Sequence, residues 1–118
     1  SWEGDMFMFE TSVILFVMAI FIEIISILFF RSDGKGCIFI AGYNLTSEEV
    51  KKKYDEKGIC RFMGKEFAIL GIGFFIGAAI EFLFAEKGFI FVSIFFGVWF
   101  IRHGYIRYKK FDKMFRNS

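Results

Sequence analysis

The sequence predicts an all-α integral membrane protein: three transmembrane helices, with a long loop that contains a short amphipathic helix. Three observations carry this. Hydrophobic residues make up 56% of the 118 positions, and 20 residues are phenylalanine, too apolar for a water-soluble domain of this length. The apolar residues are gathered into blocks instead of being spaced along one face of a helix or strand, the arrangement of a chain solvated by lipid. The cations are confined to segments between and after those blocks.

The first block, Thr11 to Phe30, is about 20 residues long, which is what an α-helix needs to cross roughly 30 Å of hydrocarbon. Glu23 is its single charge. The second block runs from Phe67 to Phe84 with Glu81 near its end, and the polar break Ala85-Glu86-Lys87-Gly88 turns the chain, Gly88 suiting a tight reversal. The third block, Phe89 to Ile101, is about 13 residues and short for a span. It reaches full length if the helix starts near Lys87 and continues through Tyr105, with Arg102 snorkelling to the interface. The chain is thus read as one membrane domain over 1–118, with spans near 11–30, 67–84 and 88–105, a loop at 31–66 and a tail at 106–118. Proline is absent, so no span has an obligatory kink.

Of the 15 Lys and Arg residues, none precedes the first span, eight lie between Arg31 and Lys65, one is Lys87, and six follow from Arg102 onward. Cytoplasmic segments hold the excess of such residues, so the expected orientation in a cytoplasmic membrane places the loop and C-terminus inside and the N-terminus outside. The acidic start, with Glu3, Asp5 and Glu10, has neither a basic region nor a small-residue cleavage site, and the first span is expected to stay as an anchor. Trp99, Tyr105 and Tyr108 read as an aromatic belt at the inner interface, and Trp2 as its outer counterpart. Cys37 and Cys60 fall in the loop at a spacing that matches no metal or redox motif, so no metal site is expected.

Small and polar residues mark the faces that should meet protein. Ser12, Ala19, Glu23 and Ser26 fall in one stripe of the first span at 100° per residue. On the second, Gly64, Ala68 and Gly71 occupy one side, while Gly73 and Gly77 form a Gly-x-x-x-Gly pair on the other. Two small faces imply two neighbours, and the second helix is expected between the first and third. Ser93 and Gly97 are the corresponding stripe expected on the third helix. Among the intramembrane polar residues Glu23, Ser26 and Glu81, Glu23 is the most informative, since a charge near the bilayer centre costs between roughly 3 and more than 10 kcal/mol. Two readings of it stay open: a proton or cation site in a cavity, or a protonated acid hydrogen-bonded to a neighbouring helix. Glu81 is placed closer to the outer interface, where it can snorkel beside Lys87.

In the loop, Thr46 and Glu49 have capping-box spacing at the start of a segment, SEEVKKKYDEK, whose Val50 and Tyr54 lie one turn apart among lysines. Gly58 is expected to end this helix. The same region holds Ile40-Ala-Gly42-Tyr43-Asn44, then Tyr54-Asp55, then Cys60-Arg61 and Gly64, set after one span and before a close pair of spans. This combination resembles domain-of-unknown-function family 3784, small three-span bacterial membrane proteins, over roughly residues 10 to 105. Leu45 stands where members usually carry threonine. The resemblance implies a bacterial cytoplasmic-membrane protein and no agreed activity. The loop and following hairpin are also remotely similar to SdpI-type immunity proteins, which protect against a membrane-active peptide. From the residues themselves, Gly42 and Asn44 suit turn conformations, Tyr43 an interfacial anchor, and Arg61 a partner for Asp55 or a lipid phosphate.

The function expected is a non-enzymatic accessory or immunity-type factor that binds another membrane component. The alternative is an oligomeric transporter or channel using Glu23. The partners considered are the lipid bilayer, another membrane protein, a membrane-active peptide and further copies of the chain; nucleic acid is not among them. No cofactor is expected and no catalytic constellation is visible, the single histidine, His103, having no partner apparent in the sequence.

Overall fold

In a computed structural model, which describes residues 2–39 and 48–116, the apolar blocks form three long antiparallel helices. Helix α1 spans Trp2–Arg31 and is followed by a 3-10 turn, Lys35–Phe39. A short helix α2, Glu48–Lys51, precedes α3, Glu56–Leu83. Helix α4, Lys87–Tyr105, continues through a π-helical turn, Ile106–Lys110, into α5, Phe111–Phe115. Three stretches, Asp5–Arg31, Glu56–Leu83 and Lys87–Phe115, are long and apolar enough to cross a membrane. No strand occurs among the described residues, only an isolated bridge between Tyr54 and Arg116.

α3 begins about 16 Å of helix earlier than the hydropathy of the chain suggests. The sequence places the second span at 67–84 and everything before it in the loop, whereas the helix starts at Glu56. Its charged residues Arg61, Lys65 and Glu66 extend it beyond the apolar block, because a helix satisfies its own backbone wherever it continues. Gly58 therefore sits in the first turn of α3 and does not end the preceding helix. Asp55 caps this start, its carboxylate accepting from the Gly58 amide at 3.1 Å.

α3 lies between α1 and α4, which make no extended packing with each other. Ser12, at the far end of α1, donates to the Ala78 carbonyl at 2.9 Å, and Ser26 donates to the Gly64 carbonyl at 2.6 Å. Between them Ala19 is fully buried with Leu15, Leu70, Phe74 and Ala78. Short hydroxyl side chains of this kind fasten helices where lipid supplies no hydrophobic drive between them. The outward face of α1 keeps Val17, Ile20 and Ile24 exposed, as a lipid-facing surface would.

The α3–α4 contact uses glycine differently from the small-on-small packing expected. Gly73 receives Phe95 and Gly77 receives Val92, so the holes on α3 are filled by large residues of α4. Ser93 and Gly97 are consequently turned away: Ser93 is exposed and donates to its own helix at Phe89, and a side chain on Gly97 would meet open space. Gly88 is likewise a packing residue rather than the turn residue expected, since a Cβ there would collide with the Gly77 carbonyl and Glu81; the left-handed position in the turn is Glu86, φ 72°.

A second small core closes the basic end, where α1 and α4 finish and α3 begins. Phe29, Cys37, Ile59, Cys60, Met63 and Phe115 are buried together. The tail expected at 106–118 folds back on the loop: Asp55 donates its amide to the Phe115 carbonyl at 2.7 Å, and the Tyr54 hydroxyl donates to Asp112.

Candidate functional site

Residues that sequence separation hides from one another meet near the basic end. On α3, Glu66 points toward α4 and is almost wholly buried. Arg102 forms an ion pair with Glu66 Oε2, and His103 Nδ1 lies 3.4 Å from Oε1. One turn earlier on α4, Trp99 donates from Nε1 to the Glu66 carbonyl oxygen at 2.9 Å. The His103 ring is stacked between Trp99, with centroids 4.9 Å apart, and Phe62 at 5.6 Å. A buried carboxylate requires such partners, and both of its oxygens are engaged here.

These contacts correct three expectations. His103 does have a carboxylate partner; by hydropathy Glu66 belongs to the loop, and no local motif pairs two residues on separate helices. Arg102 does not simply snorkel but holds Glu66, with about half of its side chain exposed. Trp99 is buried core rather than part of an aromatic belt, while Tyr105 and Tyr108 are exposed.

Above this cluster a cavity of about 990 Å³ opens between α1 and α4. Ile25, Leu28 and Phe29 form one wall, Met63, Phe67 and Leu70 the floor, and Phe96, Trp99 and Phe100 the other wall. Arg31, Lys35 and Arg107 stand at its basic end with His103, and among the described residues no carboxylate lines it. The cavity follows from the fold: α3 packs against both outer helices, and the space over α3 between those helices is left to whatever the membrane supplies.

The two remaining intramembrane carboxylates occupy different places. Glu81 is completely buried and caps the start of α4 from the neighbouring helix, accepting from the Glu86 amide at 2.8 Å and the Phe89 amide at 3.0 Å. It does not snorkel beside Lys87, because the amides exposed at a helix N-terminus attract an anion directly. Glu23 faces Gly71 on α3, where any side chain would collide with its carboxylate. Its Oε1 is buried and has no hydrogen-bond partner among the described residues.

The other singled-out residues fall outside the cavity. Ala68 on α3 is half-buried. Tyr54 and Asp55 join the loop to the tail, and Arg61 is exposed while Asp55 spends its carboxylate on α3. The hydrogen bond to Asp112, with partial burial second, raises the pKa of Tyr54 above the usual phenol value. Gly42, Tyr43 and Asn44, with Thr46 of the capping box, lie outside the described residues. Cys37 and Cys60 are buried with their sulfurs 3.5 Å apart; burial first, and the neighbouring thiol second, hold Cys37 well above the ordinary thiol range. Among the described residues no group of three or more His, Cys, Asp and Glu side chains is arranged to hold a metal ion.

Comparison with curated proteins and with solved structures returns no match. One family model, described as a domain of unknown function, DUF3784, matches residues 15–112. That stretch contains the packing stripe of α1 from Leu15 onward, all of α3 and α4, and the cluster around Glu66. With most of its length matched, the chain belongs to the DUF3784 family, whose function is uncharacterised.

Proposed function

We propose that this chain is a non-enzymatic accessory protein of the bacterial cytoplasmic membrane, and that it binds another membrane component in the cavity between α1 and α4. The single observation that carries the reading is that cavity: about 990 Å³, walled by apolar side chains and ended by cations. Its volume is at the upper end of the range filled by ordinary small-molecule ligands. The polar residues of the bundle support it by doing structural work around the cavity, Glu66 fixing α4 on α3 and Glu81 capping α4. Orientation follows the Lys and Arg distribution, with the basic end at the cytoplasmic face. An immunity-type factor is one form such an accessory takes, its component then being a membrane-active peptide.

The test is site-specific photocrosslinking in intact membranes, with the reactive residue at Leu28 or Phe100 in the cavity and, as a reference, at Ile94 on the exposed side of α4. A defined adduct formed only from the cavity positions is expected. The same spectrum of adducts from all three positions would overturn the reading.

Glu23 favours a second reading, because a buried carboxylate oxygen lacking a partner is what a proton or cation site presents. In that case several copies would form a transporter or channel. Proton or cation flux into proteoliposomes, lost on Glu23→Gln, would support it; no flux from either protein would remove it.

A further inference from the structure

We propose that the ligand of the cavity is one anionic phospholipid of the surrounding leaflet. Its acyl chains lie along Leu28, Phe67, Leu70, Phe96 and Phe100, and its phosphate is held by Arg31, Lys35 and Arg107. This names the occupant and rests on the cavity being the binding surface.

Depth is the first argument. Along α4 the cavity runs from Phe96 to Arg107, about 16 Å at 1.5 Å per residue. The hydrocarbon core is roughly 30 Å thick, so this is the depth of one leaflet. A transmembrane helix from a partner would need the full thickness, whereas on α4 the lining of the cavity begins at Phe96, about halfway across. A lipid tail that enters from the headgroup level ends where the cavity ends.

Charge is the second. Three cations arrive from three separate elements: Arg31 from the last turn of α1, Lys35 from the 3-10 turn, and Arg107 from the π-helical turn after α4. Among the described residues no carboxylate shares the lining, and the nearby Glu66 is already committed to Arg102 and His103. Such an assembly complements a phosphate carrying net negative charge and gives no partner to the quaternary ammonium of a zwitterionic headgroup. Basic pockets between transmembrane helices at the cytoplasmic side select anionic lipids for this reason.

Access is the third. Because α1 and α4 make no extended packing with each other, the cavity opens sideways into the bilayer, and a lipid reaches it by lateral diffusion without leaving the membrane.

The experiment is native mass spectrometry of the full, delipidated chain titrated with phosphatidylglycerol or phosphatidylcholine of identical acyl chains. Four variants are compared: Arg31→Ala/Lys35→Ala/Arg107→Ala; Leu28→Trp and Ile25→Trp, which fill the cavity; and Lys109→Ala/Lys113→Ala, which removes exposed cations outside it. Thermal melts confirm that each variant is folded, and the two filling variants back each other up. Expected is retention of one phosphatidylglycerol at least tenfold over phosphatidylcholine, weakened about fivefold for each cavity cation removed. Filling the cavity should abolish it, and the Lys109/Lys113 variant should leave it in place.

Equal retention of both lipids, lost on filling the cavity, would overturn the anionic assignment while leaving the cavity as a binding surface. Retention untouched by either filling variant would overturn the assignment and that reading together. Equal weakening by the Lys109/Lys113 variant would reduce the effect to general surface charge and overturn the site. A peptide or a second copy of the chain displacing phosphatidylglycerol from the native cavity would also overturn it.

Discussion

Replacing Glu81 tests whether one buried carboxylate holds the hairpin between α3 and α4. Its two oxygens accept from the Glu86 and Phe89 amides at 2.8 and 3.0 Å. Hydrogen bonds to a charged group contribute roughly 1.5–3 kcal/mol each, an upper bound of about 3–6 kcal/mol for the pair. The attraction between an anion and a helix N-terminus, up to about 2 kcal/mol, acts through these same amides and is not added again. Glu86 and Phe89 are exposed at the turn, so water recovers part of the loss once the carboxylate is gone. The expected cost of Glu81→Ala is about 2–4 kcal/mol, and of Glu81→Gln about half that, since its amide oxygen still accepts one bond. Both are read from reversible unfolding in mixed micelles titrated with dodecyl sulfate, followed by circular dichroism and Trp99 fluorescence. Lys87→Ala should cost almost nothing. If Lys87→Ala destabilises as much as Glu81→Ala, the carboxylate serves an ion pair, and if Glu81→Gln is silent, its charge contributes nothing; either result refutes the capping argument.

Glu66→Gln should cost about 1–3 kcal/mol, less than a fully buried pair because Arg102 is half exposed, and should shift Trp99 emission as the His103 stack loosens; unchanged emission and stability would count against the cluster. Gly71→Ala should destabilise by about 1–3 kcal/mol through collision with Glu23, and adding Glu23→Ala should restore most of it, a coupling that a double-mutant cycle measures. Raising the pH should release the tail. The folded chain holds the Tyr54 phenol above its ordinary value, so the stabilisation is complete below about pH 10 and is lost as pH rises through the elevated value; limited proteolysis near Lys113 should accelerate there, and Tyr54→Phe should abolish the pH dependence. Maleimide should leave Cys37 and Cys60 unmodified in the folded protein and label both after dodecyl sulfate unfolding, as intact mass reports.

The three spans, their order and the α1 packing face could be read from the sequence because one variable, polarity along the chain, fixes them. Ser12 and Ser26 stand out against a wholly apolar background, and each finds a carbonyl of α3. The same variable misplaced Glu66. Arg61, Lys65 and Glu66 lower the local hydropathy, yet the helix runs through them, and its periodicity turns Glu66 inward while Lys65 stays exposed. Ser93 and Gly97 show a different failure: small residues mark where close approach is allowed, not which side of a contact is the hole. Here the holes are on α3 and the filling residues Val92 and Phe95 on α4. The α1–α4 cavity had no signature at all, since its lining is ordinary apolar sequence and its existence depends on two helices not touching.

The clasp between Asp55 and Phe115 also sets a timetable. A ribosome delivers the N-terminal part first, so α1 and α3 are in place to pair before residues 111–116 exist. The core around Phe29, Cys37 and Ile59 then waits, open on one side, for Phe115 to arrive as one of the last described residues. Final closure of the basic end is therefore a late step of folding, and the long helices assemble as an intermediate whose basic end is still unsealed.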